Sequence, residues 1–218
     1  MENKIVIFDW GGVIIHELFD SNSLKEAIIR TIKKYNSKLS DDEAFDIYTN
    51  TLLDDNHINI STQNDEQSKK NWVNRISIMA KTNIPYEDFI YTFSKECQQS
   101  SSYNDVVKYI YSLKGKCKIG LLSNIIFACY DALCRQVDLT IFDYVWLSYE
   151  MHNRKPEVEV FMKVENDTNL SPDNILFIDD KMRNLKVAKE RGWNICNANG
   201  NELEKIKDTV EKFLSNNI

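Results

Sequence analysis

The residues whose types suit chemistry stand in four places: Asp9, followed by Trp10-Gly11-Gly12; Ser123-Asn124; Lys155-Pro156; and the pair Asp179-Asp180. A carboxylate can attack phosphorus and form an aspartyl-phosphate. Two or three carboxylates at one point repel one another unless a cation sits among them. Oxygen-only ligands of that kind suit Mg²⁺, which keeps several waters and takes few protein groups. A serine hydroxyl and a lysine ammonium can hold the equatorial oxygens of a transferring phosphoryl group. Gly11 and Gly12 allow a tight turn whose backbone amides can point at the same oxygens. Singly, each has a plainer explanation: a turn residue, a helix N-cap, a surface lysine, favourable charge at a helix start. Their joint meaning depends on a fold that brings them together.

The elements around them supply one. Ile5-Val6-Ile7-Phe8 is a continuous apolar run, as expected of a strand buried on both faces of a parallel sheet, and it ends at Asp9. From about Asn22 to Gln98 the pattern turns helical. Ser23-x-x-Glu26 and Ser40-x-x-Glu43 read as capping boxes, and Pro85 suits a first helical turn. Four apolar stripes follow: Leu24, Ile28, Ile32 and Tyr35; Phe45, Tyr48 and Leu52; Trp72, Ile76 and Met79; Phe89, Phe93 and Cys97. These predict a small helical bundle whose aromatic residues pack its core.

After about Tyr103 helices and strands alternate. Strands are predicted at Lys118 to Leu122, Tyr144 to Leu147, Ile175 to Ile178 and Trp193 to Cys196. Helices are predicted before the first of these, at Phe127 to Gln136, from Pro156, from Lys181 to Arg191 before Gly192, and at the C-terminus. The fold class is therefore α/β: a Rossmann-like parallel sheet with helices on both faces and a helical insertion after the first strand. Ligands in such sheets bind beyond the carboxyl ends of the strands, where all four candidate groups fall.

The bulk numbers fit. A chain of 218 residues accommodates one α/β domain with an insertion, and 43% hydrophobic with 28% charged residues describes a globular protein. The net charge of −6 argues against nucleic acid, since Lys33-Lys34 and Lys69-Lys70 lie among acids. The five cysteines form no C-x-x-C pair, so neither zinc nor a dithiol site is indicated. Their odd number and the lack of a basic leader point to a reducing cytoplasm, and no stretch is apolar enough to span a membrane.

Asp9-Trp10-Gly11-Gly12-Val13 resembles the first motif of the haloacid dehalogenase superfamily, and Leu122-Ser123-Asn124 the second. Arg154-Lys155-Pro156-Glu157, with Val160-Phe161, resembles the third. Phe177-Ile178-Asp179-Asp180, with Asn184, Ala188 and Gly192, resembles the fourth. The resemblance implies a core at 1–15 and 100–218 with a helical cap at 16–99. It implies a Mg²⁺-dependent hydrolase, a phosphatase acting on a small phosphorylated metabolite such as a sugar phosphate or nucleotide; the sequence leaves monomer and homodimer both open. Asp9 would be nucleophile and metal ligand. The Gly11 carbonyl, Asp180 and Asp179 would complete the metal site. Ser123 and Lys155, with Trp10, Gly11, Gly12 and Asn124, would bind the phosphoryl group.

Two features depart from the usual pattern. Many family phosphatases carry a general acid two residues after the nucleophile, where this chain has Gly11; such catalysis is typically worth about 10²–10⁴-fold. A subgroup reading Asp-x-Gly-(Asn/Gly)-Val, which includes sugar-phosphate phosphatases, shares that feature. His152 stands where the family often has glycine, and His16 raises the same question near the cap hinge. Two other readings compete: a metal-free haloacid dehalogenase in which Asp9 attacks carbon, which the Asp179-Asp180 pair opposes, and a binding protein with a decayed site, which Gly11 favours.

Overall fold

The computed structural model describes residues 3–16, 24–54, 56–99 and 101–215. Its centre is β1 (Ile5–Phe8), all four residues of which are buried. Alternation divides them: Ile5 and Ile7 face one side of the sheet, Val6 and Phe8 the other. β1 pairs in parallel with β2 (Lys118–Ser123) on one edge and with β4 (Ile175–Asp179) on the other. β3 (Tyr144–Leu147) extends the sheet beyond β2 and β5 (Asn194–Asn197) extends it beyond β4, giving the order β3-β2-β1-β4-β5. The chain leaves β1 toward one edge and later returns to the other, so the C-terminal ends of β1 and β4 flank a switch point.

On one face Ile5, Ile7, Phe177 and Leu122 pack with Phe161, Trp193 and Leu185. Here lie α8 (Val158–Thr168) and α9 (Met182–Glu190). The opposite face buries Val6, Phe8, Leu121 and Ile178 with residues of α5 (Asn104–Ser112) and α10 (Leu203–Leu214). That cluster continues into α1 (Leu24–Tyr35), α2 (Asp41–Thr51), α3 (Glu66–Met79) and α4 (Tyr86–Cys97), all between β1 and β2.

The apolar stripes account for this bundle. Trp72 of α3 meets Phe89 and Phe93 of α4 edge-on at ring distances of 5.6 and 6.0 Å. It also meets Phe127, in the turn after β2, at 6.1 Å. α1 packs against α2 and α4. The Ser40 capping box forms: Glu43 N–H donates to Ser40 Oγ, and Ser40 N–H to Glu43 Oε2. The Ser23 box involves a residue outside those described. Met79 departs from expectation: it is 40% exposed at the last residue of its helix.

The remaining corrections are local. The helix expected from Pro156 begins two residues later, at Val158, because Glu157 adopts extended backbone and its carboxylate accepts from Arg154 N–H instead. The stretch predicted as one helix from Phe127 to Gln136 opens with a 3-10 turn before α6 (Tyr130–Gln136). One helix was not anticipated: α7 (Ser148–Met151), a single turn ending at His152 with φ 57°. That left-handed conformation, which glycine adopts without steric cost, accounts for the position of His152.

Candidate functional site

The end of β1 delivers Asp9, fixed through its N–H to the Ile178 carbonyl of β4 (2.9 Å). The chain then turns sharply. Ile14 and Ile15 N–H both return to the Trp10 carbonyl, and Gly12 takes φ +83°. A side chain at position 12 is blocked: a Cβ there would lie 2.6 Å from Asp180 Oδ2. Trp10 N–H donates back to Asp9 Oδ1 at 2.7 Å, and its indole donates to Gln136 Oε1 of α6 at 3.1 Å.

Lys155 is the pivot. It is 1% exposed, and its ammonium reaches Asp9 Oδ1 (2.9 Å), Asp179 Oδ2 (2.8 Å) and the Leu122 carbonyl (2.8 Å). Its backbone is clamped by Asn124, whose amide donates to the Lys155 carbonyl and accepts from its N–H, both at 2.8 Å. Asp179 also accepts from Asn184 Nδ2 (2.9 Å) and from Lys181 N–H (2.7 Å). Asn197 Nδ2 donates to the carbonyls of Asp179 and Asp180, so β5 pins the loop after β4.

Burial raises the Asp9 carboxyl to about 7, against the pull of Lys155. Burial also works against ionised Asp179, but Lys155, Asn184 and Lys181 N–H more than offset it, so that carboxyl lies below its ordinary value. The two acids share one ammonium and move apart because Asp179 has the extra donors. For Lys155, burial favours the neutral amine, and the two carboxylates outweigh it and hold the pKa above the usual range.

Oxygens of Asp9, Asp179 and Asp180 all lie within 4.8 Å of one another. One lysine bridges two of these three acids. An all-oxygen set with excess negative charge fits a hard divalent cation, and the lack of a side chain at Gly12 lets the Asp180 carboxylate stand against the turn.

A cavity of about 270 Å³ opens over this cluster. Asp9, Trp10, Gly11, Asn124 and Lys155 line it from the strand ends, and Leu24, Phe45, Tyr48, Asn59 and Ser61 from the helical segment. The segment is tied down beside it: Ser148 Oγ accepts from Ile125 N–H (3.0 Å) and donates to the Ser61 carbonyl (2.7 Å).

Asp9, Lys155, Asp179 and Asp180 are thus brought together. Ser123 ends β2 and is 2% exposed, but neither it nor Gly12 is part of the cavity wall. Neither histidine lines the cavity: His16 stacks on Tyr103 at 3.8 Å, and His152 Nδ1 meets the Thr62 carbonyl at 3.1 Å. Sequence reasoning gave no role to Tyr48, Asn59, Ser61 and Arg183 in the wall. Nothing in their local spacing sets them apart from ordinary helix-face and turn residues.

Residues 3–192 match the profile of the haloacid dehalogenase-like hydrolases. A D-ribitol-5-phosphate phosphatase of Bacteroides thetaiotaomicron is 35% identical over 51 residues, 23% of this chain and 25% of that protein. The match therefore spans a quarter of the curated relative's length. A predicted HAD-like family hydrolase from Porphyromonas gingivalis has a TM-score of 0.72 at 20% identity, covering 96% of this chain and 98% of that one. A HAD family enzyme from B. thetaiotaomicron, in complex with magnesium and inorganic phosphate, has a TM-score of 0.63 at 21% identity, covering 91% and 96%.

Proposed function

The chain belongs to the haloacid dehalogenase-like hydrolases, and from that premise we propose that it is a Mg²⁺-dependent phosphatase of small phosphomonoesters, with Asp9 as nucleophile. The observation that carries the reading is the buried Lys155 ammonium joining Asp9 to Asp179 at the strand ends, with Asp180 in the same oxygen cluster. The named relatives support it, one a phosphatase of a polyol phosphate and one holding magnesium and phosphate.

In this reading the helical segment, about residues 16–99, caps a core formed by 1–15 and 100–218. Asp9 Oδ1 is held by Trp10 N–H and Lys155, which fixes the carboxylate plane while its other oxygen faces the substrate. That oxygen attacks phosphorus; an O–P bond forms and the ester P–O bond breaks. Gly11 supplies no acid, so the departing oxygen takes its proton from water. Water then attacks the aspartyl-phosphate, releasing inorganic phosphate and restoring Asp9. Lys155 and the Ser123 hydroxyl stabilise the charge on the phosphoryl oxygens. Asp9, Asp179, Asp180 and the Gly11 carbonyl would hold Mg²⁺, which would offset the repulsion between acids and phosphoryl oxygens.

The test is phosphate release from a panel of phosphomonoesters. Turnover should need Mg²⁺, vanish in EDTA and be poorly supported by calcium. Asp9→Asn should lower it by roughly 10³-fold or more while circular dichroism stays unchanged. Undiminished turnover in chelator, or in Asp9→Asn, overturns the proposal.

A further inference from the structure

The cavity carries positive charge that the reaction just described does not use. Arg154 and Arg183 both line it. Arg154 immediately precedes Lys155 and is half-buried; Arg183 stands in the first turn of α9 and is exposed. Among the described residues neither guanidinium makes a hydrogen bond or ion pair. Arg30, Arg75 and Arg191, by contrast, are anchored to Glu96, the Thr51 carbonyl and Glu165. Glu157, the acid nearest Arg154 in sequence, directs an oxygen to the Arg154 backbone N–H. Burial first and the neighbouring Arg183 second push Arg154 below its ordinary range, and the opposing pull of Glu157 and Tyr48 does not offset them, so two like charges stand in each other's field.

Such an arrangement is unfavourable without an anion between or beside the two groups. The carboxylates at the strand ends do not supply it, since Asp9 and Asp179 are bonded to Lys155. Other capacity on the same wall is also unspent. The Ser61 hydroxyl is buried, with the residue 7% exposed, has no hydrogen-bond partner among the described residues, and can donate to an anion. Ser61 lines the cavity. A paired guanidinium site is suited to a planar or tetrahedral oxyanion.

We propose that Arg154 and Arg183 form a second anion subsite, so that the preferred substrate is a small phosphomonoester bearing a further carboxylate or phosphate, rather than a neutral polyol phosphate. The proposal rests on the phosphatase reading for its first anion, but the arginines can be tested without turnover. At about 270 Å³ the cavity restricts the substrate to a few carbons between the two groups.

The experiment has a kinetic and an equilibrium arm. In the first, kcat/KM is compared within matched pairs: 3-phosphoglycerate against glycerol 3-phosphate, and fructose 1,6-bisphosphate against fructose 6-phosphate. The two pairs separate a carboxylate from a second phosphate as the natural group. The doubly anionic member should be favoured by about tenfold or more in at least one pair. That ratio should collapse toward unity in Arg154→Gln and Arg183→Gln and be partly kept in Arg183→Lys. In the second arm, calorimetry with Mg²⁺ compares phosphonoacetate with ethylphosphonate, neither of which turns over. Phosphonoacetate should bind about tenfold tighter to the wild type, and the advantage should disappear in Arg183→Gln.

Equal values within both pairs and equal binding overturn the subsite and leave the phosphatase standing. A fall of both members of a pair by the same factor in the arginine variants also overturns it, because it assigns the arginines to the reacting phosphoryl group. Absence of turnover on any ester, with phosphonoacetate still discriminated through Arg183, overturns the phosphatase reading and upholds the subsite.

Discussion

The strand ends and the helical segment bury polar groups under different rules. At the ends of β1, β2 and β4 the buried charges answer one another: Lys155 is bonded to two carboxylates and a carbonyl, and the Asp179 carboxylate to three donors including Asn184. In the helical segment, Trp72 is fully buried with its Nε1 lacking a hydrogen-bond partner, and the Ser61 hydroxyl is in the same condition. A network of paired charges fixes geometry at high cost if any member is lost, even where one acceptor, Asn184 Oδ1, stays unpaired. Unspent donors hold less geometry in place, and at Ser61 they leave hydrogen-bonding capacity facing the cavity. The contrast separates a region built to hold one constellation from a wall that is free to differ with the ligand.

The comparison breaks most easily at Lys155. Lys155→Met removes the ammonium joining Asp9 and Asp179 and should cost about 3–5 kcal/mol in metal-free protein, read by urea denaturation. A loss below about 1 kcal/mol would mean that the network does not constrain the strand ends as described.

A pair of tryptophans sharpens it. Trp193 Nε1 donates to Glu165 at 2.9 Å, whereas the buried Trp72 Nε1 has no partner. Both changes to phenylalanine lose ring volume. Trp193→Phe also loses a hydrogen bond to a charged acceptor, worth about 1.5–3 kcal/mol, while Trp72→Phe sheds an unsatisfied donor. Trp193→Phe should therefore be the costlier by at least about 1 kcal/mol. Equal losses would show that the missing partner of Trp72 carries no energetic weight.

The smallest effect concerns Glu165, held below its ordinary value of 4.5 by its hydrogen bonds to Arg191, with Trp193 assisting. A carboxyl whose pKa falls on folding adds stability above its unfolded value and loses it as pH drops through the folded one. Glu165→Gln should cost about 1 kcal/mol at pH 7, and the gap to wild type should close in the acid range below 4.5. A gap that stays constant down to acid denaturation would mean that the ion pair contributes nothing through charge.

Much of the core was legible because buried parallel strands read as unbroken apolar runs: Ile5–Phe8 and Ile175–Ile178 match β1 and β4 nearly residue for residue. The clustering of Asp9, Lys155, Asp179 and Asp180 followed from placing each at a strand end or helix start, and the geometry agrees. Legibility stopped where local periodicity carries no signal. α7 is a single turn, too short to show a helical stripe, and Met79 fits its stripe but is 40% exposed at its helix end. Arg183 is an ordinary helix-surface arginine in sequence, and only its place in the cavity wall with Arg154 sets it apart. Asn184 carried a faint signal, a polar residue on the buried side of α9 one turn after the acid it supports.

The position of Trp10 has an optical consequence. Its indole is buried, tethered to Gln136, and its backbone N–H is bonded to the carboxylate of Asp9, while the residue lines the cavity. An indole's emission responds to nearby charge, so a change of charge on Asp9 alters the field at a fluorophore one residue away. The other three tryptophans, Trp72, Trp146 and Trp193, are also buried but lie outside the cavity wall, and form a steady background. The chain thus carries its own indicator dye beside the nucleophile, readable without label or coupled assay.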